Sequence, residues 1–329
     1  MNIDILDAGH GDCLLVTCGE TLILVDSGPK SLKVRKALIQ RLKNILQGKD
    51  IDLAIVTHND DDHIGAFKYI IDSGIVIKAF IFNSLELVAK IFRDDAKSKK
   101  ISFRQDIQLQ NLLKDLDINV CTFKHEDALV NFNGITLTPL TPDEIILSKL
   151  HSKAEKVRKN KKITSFNRVE PSISSCLKDI KEDNDTFVED SSITNKSSIS
   201  FVLEFVGTRA LFLGDSHPTD VIHALKCKNQ VDKPFNVVKI SHHASEKNTN
   251  RELLELIGKS DYIICADKSH HGHPNNKTIS RIIDFDQSAK FHISGDNEKI
   301  RTVFLECVEL GFPISVTYPS NGVNRVTYE

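Results

Sequence analysis

The chain has 329 residues, 40% hydrophobic and 27% charged, with 43 Lys and Arg against 45 Asp and Glu for a formal charge of −2. That balance belongs to a globular protein able to bury a full core, and it excludes a globally basic nucleic-acid wrapper while leaving room for a local basic groove. No run approaches the roughly 18–20 apolar residues of a membrane span, Met1-Asn2-Ile3-Asp4 lacks a basic leader pattern, and the seven cysteines form no CxxC pair. A cytoplasmic protein without a membrane segment is expected.

Short β-rich runs are predicted at 3–7, 13–18 and 21–25, punctuated by glycines. Apolar residues at helical spacing predict an amphipathic helix over 32–46. The compact apolar run 51–56 predicts a buried strand that delivers His58, followed by a helix at 64–71, a strand at 75–82 and helices at 85–92 and 107–116. Segment 147–198 differs. Lys153, Lys156, Arg158, Lys159, Lys161, Lys162 and Arg168 face a lone Glu155, and then Glu170, Asp179, Glu182, Asp183, Asp185, Glu189 and Asp190 follow. Such blocks of charge predict a mobile insertion. As an arm, the basic block would contact a polyanion, with the acidic block folding back on it. Beyond it, 199–206 and 209–213 predict a hairpin through Gly207. Strands at 236–240, 262–266 and 290–293 alternate with helices at 221–225, 253–257 and 279–283. This interleaving predicts an α/β layered fold, one domain over 1–329.

Seven of the thirteen histidines fall in three clusters, His58/His63, His242/His243 and His270/His271/His273. Carboxylates follow predicted strands at Asp26, at Asp60, Asp61 and Asp62, and at Asp215. Ligand-type residues emerging from the same ends of several strands build metal sites. At 57–65 a strand end meets a helix start, so that His58, Asp60, Asp62 and His63 converge on one volume. A helix cap, a turn or a surface histidine pair explains each feature singly, but not their joint occurrence.

The same residues stand in recognisable motifs: Leu6-Asp7-Ala8-Gly9-His10-Gly11-Asp12, Leu24-Val25-Asp26-Ser27-Gly28, His58-x-Asp60-x-Asp62-His63, Asn195-Lys196-Ser197-Ser198, Leu213-Gly214-Asp215, Ser241-His242-His243-Ala244-Ser245 and His271-Gly272-His273-Pro274. In this order they resemble the metallo-β-lactamase superfamily, and within it the metallo-β-lactamase-like domain of ComEC competence proteins, with Ala244 in place of a glycine. The resemblance implies a four-layered αββα sandwich binding two divalent metal ions. His58, Asp60 and Asp215 would hold one ion. Asp62, His63, Asp215 and a histidine of the next pair would hold the other, His242 preferred as the first after its strand and His243 the alternative. Asp26 would orient a ligand imidazole, with Asn195 in a similar supporting place.

An aspartate where most members have histidine makes the first position oxygen-rich, which favours Mn²⁺ or Mg²⁺, while the second suits Zn²⁺ or Mn²⁺. The implied activity is phosphodiester hydrolysis, on DNA or RNA, by a hydroxide shared between the ions. Asp62 would serve the catalytic centre, His273 would act as general acid or phosphate contact, and Ser245 would hydrogen-bond phosphate. Lys156, Arg158, Lys159, Lys161 and Lys162 are the nucleic-acid contacts. Competing functions are a small-molecule or lipid-headgroup phosphodiesterase and a non-catalytic metal-stabilised binding module in a multi-protein system. Neither channel helices nor an OB-fold is read here, so DNA import is not implied; a partner from a neighbouring gene and a role in phage defence are the expected setting.

Overall fold

The computed structural model describes residues 1–91, 104–156 and 170–329. The strands are β1 (Asn2–Leu6), β2 (Leu14–Cys18), β3 (Thr21–Val25), β4 (Leu53–Val56), β5 (Ala79–Phe82), β6 (Asn119–Cys121), β7 (Val130–Phe132), β8 (Ile135–Thr141), β9 (Ser200–Phe205), β10 (Thr208–Phe212), β11 (Val237–Lys239), β12 (Asp261–Ile264), β13 (Lys290–Ile293), β14 (Ser315–Thr317) and β15 (Val323–Thr327). They form two sheets, in the orders β15-β1-β2-β3-β4-β5-β6 and β14-β13-β12-β11-β10-β9-β8-β7. The helices are α1 (Leu32–Leu46), α2 (Asp61–Ile64), α3 (Phe67–Asp72), α4 (Leu85–Ile91), α5 (Arg104–Asp115), α6 (Glu144–Lys156), α7 (Ile173–Lys181), α8 (Ile193–Lys196), α9 (Pro218–Cys227), α10 (Arg251–Ile257), α11 (Asn276–Phe285) and α12 (Glu298–Glu309).

Strand alternation sorts the side chains into layers. In β3, Ile23 and Val25 enter the core between the sheets, where they meet Phe201, Phe212 and Ile263 of the second sheet. Leu22 and Leu24, one residue out of phase, pack outward with Leu38, Leu42 and Leu46 of α1. On the far side, Leu211 and Val238 turn away from the inter-sheet core toward Leu225, Leu254 and Ile282 of α9, α10 and α11. The result is helix, sheet, sheet, helix: the expected αββα sandwich. Among the described residues, no helix is long and apolar enough to cross a membrane.

Some local expectations are corrected. The helix expected at 64–71 is two short helices, α2 and α3. Residues 75–78 do not extend β5; Ile77 makes a single bridge to Ile51. Strand β8, which has Pro139 inside it, was not among the expected elements. Its pairing with β7 ends at Leu137, so Pro139 lies beyond that ladder at a register shift against β9, where a missing N–H is tolerated.

Within the segment expected to be a mobile insertion, residues 170–198 pack into the fold. Ser172 caps α7 by accepting from Ser175 N–H at 3.1 Å, and Ile173 and Leu177 enter the core against Ile279 and Ile282. The acids bind the body of the protein. Asp185 holds Arg281 through Nε and Nη2 at 2.6 and 2.8 Å, Glu170 holds Lys268 at 2.6 Å, and Glu189 accepts from Thr219 Oγ1 at 2.7 Å. Arg158, Lys159, Lys161 and Lys162 lie outside the described residues, and Lys156 is the last residue of α6.

Candidate metal centre

Two parallel strand pairs, β3–β4 in one sheet and β10–β11 in the other, end side by side and deliver the candidate ligands from their carboxyl ends. Beyond β3 the chain turns through Asp26 at φ 57°, and beyond β10 through Gly214 at φ 51°. A Cβ on Gly214 would sit 3.1 Å from the Cβ atoms of both Ser198 and Thr57, so glycine lets Asp215 reach the seam between the sheets. Beyond β11, His242, His243 and Ala244 all take positive φ, at 49°, 54° and 64°, a strained run of non-glycine residues that marks a functional turn.

This turn decides which histidine goes where. His243 Nε2 lies 3.2 Å from Asp62 Oδ2, 3.3 Å from His63 Nε2 and 4.0 Å from Asp215 Oδ1. His63 Nε2 is 3.4 Å from Asp215 Oδ1 and 4.0 Å from Asp62 Oδ2. Ligands ~2.1 Å from a tetrahedral ion lie ~3.4 Å from one another, which is the scale of this quartet. The preference for His242 in this group is reversed by the geometry: His242 Nε2 points instead at Asp215 Oδ2, 3.6 Å away. There it joins His58 Nε2, which is 3.7 Å from the same oxygen and 3.6 Å from Asp60 Oδ2. Asp215 thus presents one oxygen to each group.

The backing hydrogen bonds fix the tautomers. His63 Nδ1–H donates to Asp26 Oδ2 at 2.7 Å, and Thr57 holds the same carboxylate through its N–H and Oγ–H at 2.8 and 2.7 Å. His243 Nδ1–H donates to the Cys265 carbonyl at 2.8 Å, and His242 Nδ1–H to Asn248 Oδ1 at 2.9 Å. With the Nδ1 positions protonated, these rings offer Nε2 lone pairs, the form a metal needs. His58 Nε2 and Asp215 Oδ1 are buried without a hydrogen-bond partner among the described residues, a deficit of about 1–3 kcal/mol each that a bound cation removes.

Electrostatics point the same way. Burial pushes the His63 imidazole down, but Asp215, Asp26, Asp12 and Asp62 overcome it and hold its pKa well above the ordinary value. Burial likewise lowers His243, yet Asp12 and Asp215 bring it up to about 10. Burial would raise Asp215, but His242, His63, His243 and His58 hold it well below the usual carboxylate range. The cavity therefore stabilises positive charge, and its donor set fits divalent cations.

Behind the quartet stands a pair that sequence reasoning missed. Asp12, wholly buried, pairs with buried Lys239 and places Oδ1 3.1 Å from His243 Nδ1. Lys239 Nζ also donates to the Gly214 carbonyl at 3.1 Å. Burial pushes the Asp12 carboxyl up, and Lys239 and His243 bring it down to about 2. The available signals were the terminal aspartate of the first glycine motif and a lysine inside the apolar run 236–240. Asp190 was also missed as a site residue. It accepts from Asn195 Nδ2 at 2.7 Å and lies 3.6 Å from His242 Nδ1, so Asn195 supports the His242 side of the centre.

Residues 6–79, which carry Asp12, Asp26, His58, Asp60, Asp62 and His63, match the family model described as the metallo-beta-lactamase superfamily. Over these residues the chain is similar to that superfamily. No curated protein matches it. Among solved structures, a diphosphatase of the PhnP family is 12% identical with a TM-score of 0.45, over 100% of this chain and 98% of that one. Zn²⁺-bound PqqB from Methylobacterium extorquens is 11% identical with a TM-score of 0.46, over 100% of each chain. CmlA, a diiron β-hydroxylase from Streptomyces venezuelae, is 10% identical with a TM-score of 0.41, and the present chain spans 54% of its length.

The candidate metal centre opens into a cleft of about 1250 Å³. His273 and Ser245 line it. Burial, with His242 and His243 close by, holds the His273 pKa well below the usual imidazole range, so this ring is a neutral N–H donor rather than a source of a full proton. Ser245 Oγ accepts from Lys247 N–H at 3.3 Å, which leaves its O–H to donate. His10 stacks on His270 at 4.8 Å between ring centroids on the same wall.

Proposed function

We propose that this domain is a metal-dependent phosphodiesterase acting on nucleic acid. The observation that carries the proposal is Asp215, whose two oxygens face two separate groups of imidazole and carboxylate donors. Asp62, His63, Asp215 and His243 would hold one cation, and His58, Asp60, Asp215 and His242 the other. With His242 included, each position offers two nitrogens and two oxygens, a set that suits Zn²⁺ and Mn²⁺ and removes the reason to favour Mg²⁺. Divalent cations bound there supply Lewis-acid activation of water and neutralise charge on a phosphate.

The chain's own groups do the rest. Ser245 O–H and the neutral His273 ring donate to phosphate oxygens and orient the scissile group. Lys247 and Lys277, both on the cleft wall, draw the polyanion in. Asn195 and Asp190 hold His242 in place. The motif resemblance to ComEC-type domains supports a nucleic-acid substrate. A second reading, a small phosphodiester substrate, is favoured by the wall itself, whose described lining has seven carboxylates against two lysines.

The deciding experiment is a panel of single-stranded DNA, duplex DNA, RNA and bis-p-nitrophenyl phosphate, each with Mn²⁺, Zn²⁺ or Mg²⁺, on wild type and Asp62→Ala/His63→Ala. Cleavage of a nucleic acid that the double variant loses supports the proposal. Hydrolysis of the small diester alone transfers the site to the second reading, and no hydrolysis with any ion overturns both.

A further inference from the structure

A second set of metal-type donors lies on the outer helical layer. His223 and Cys227, four residues apart, share one face of α9. Cys227 Sγ is 3.4 Å from His223 Nε2. The loop that follows β6 brings His125 against them, with its ring centroid 6.0 Å from that of His223. One ligand atom from each of the three residues falls within 4.8 Å of the other two. We propose that His125, His223 and Cys227 form a separate site for a borderline transition-metal ion such as Zn²⁺, with the fourth position open to water.

Three features make this more than a chance cluster. First, the spacing fits: bonds of ~2.3 Å to sulfur and ~2.1 Å to nitrogen at a tetrahedral ion set the two ligand atoms ~3.5 Å apart. Second, His125 is prepared as a ligand. Its N–H donates to the Pro142 carbonyl at 2.8 Å, and its Nδ1–H donates to the Leu140 carbonyl at 3.0 Å. A carbonyl only accepts, so Nδ1 carries the proton and Nε2 keeps its lone pair. Third, the two elements are already tied beside the cluster, because Lys228 Nζ donates to the Asp127 carbonyl at 3.0 Å. The donors are one thiol and two imidazoles, which select Zn²⁺ or Co²⁺ over Mg²⁺, Ca²⁺ or Mn²⁺. Binding would release the thiol proton to solvent. His217, next to Asp190 at the other end of α9, is ten residues from Cys227, or ~15 Å along a helix. This site is therefore distinct from the centre at the sheet edges.

Cobalt separates the two. The donors assigned to the main centre contain no sulfur, so a thiolate-to-cobalt charge-transfer band reports only the outer site. Titration of the full-length metal-free protein with Co²⁺ is expected to give that band. Cys227→Ala should lose the band and bind one equivalent less, while Asp62→Ala/His63→Ala should keep it. In parallel, Zn²⁺ should slow alkylation of Cys227 by about tenfold or more, with exposed Cys121 unprotected as internal control. Absence of the band in wild type, its persistence in Cys227→Ala, or equal alkylation of Cys227 with and without Zn²⁺ overturns the proposal.

Discussion

The two halves of the metal centre are built differently. The quartet of Asp62, His63, Asp215 and His243 is sunk in protein: its histidines are 0% and 4% exposed, and Asp26, Asp12 and Lys239 lie buried behind it. In the group of His58, Asp60 and His242 only His58 is buried, while Asp60 is 48% and His242 21% exposed at the cleft mouth, and its helpers are Asn195, Asn248 and the partly buried carboxylate of Asp190. Charge behind a ligand and exclusion of water both strengthen a site. The quartet is thus the pre-organised position, and the outer group is the one that substrate can adjust.

The most severe way to test that contrast is to remove what the halves share. Asp215→Asn should cut turnover of a phosphodiester substrate on the order of 10³-fold and lower the metal content of both positions. Kinetics together with elemental analysis check it; loss of one position only would break the symmetric role given to its two oxygens. Next comes the frame. Lys239→Met takes the lysine cation away from buried Asp12 and leaves it only the histidines, which should cost about 3–5 kcal/mol of stability in urea unfolding, and Asp12→Leu/Lys239→Met should recover part of that loss. Asp26→Ala, which frees the His63 ring, should weaken metal binding at the quartet by about 10–100-fold, whereas Asn195→Ala should weaken the outer position by less than tenfold, as read by competition with a chelating dye.

The mildest test uses protons. Because His243 is raised to about 10 and His63 well above its ordinary value, the metal-free quartet holds its imidazole protons more tightly than free histidine does. A cation must displace those protons, so affinity at the quartet should rise with pH toward 10. Calorimetry in buffers of different ionisation enthalpy should detect the release. The same sign applies to folding. The raised His243 pKa contributes stability to the metal-free protein that is full below about pH 6.5 and fades as pH rises through about 10.

Much of the sandwich is legible because its signals are local. Helix α1 follows from apolar spacing over 32–46, and β3 and β4 from short apolar runs that end in polar turns. Other elements are hidden by physics acting from elsewhere. Strand β8 carries one proline, Pro139, which its position beyond the β7 ladder makes harmless. Helix α7 lies in a block of acids whose partners, Arg281 and Lys268, are about a hundred residues away. In the site, residue types at strand ends identify the donors that converge. The assignment of His242 and His243 rests on three consecutive positive φ angles, which no residue in the motif signals. Asp12 and Lys239 carry meaning only once the sheets are packed face to face.

Gly214 and Asp215 have a consequence for assembly. Asp62 and His63 follow the carboxyl edge of one sheet, while Asp215 and His243 follow that of the other, so the cation position is shared by segments far apart in the polypeptide. Neither portion, expressed by itself, owns a complete coordination shell. Ion capture then works as a clasp across the sandwich, and chelation should register as a loss of mechanical cohesion between the layers as well as a loss of reactivity.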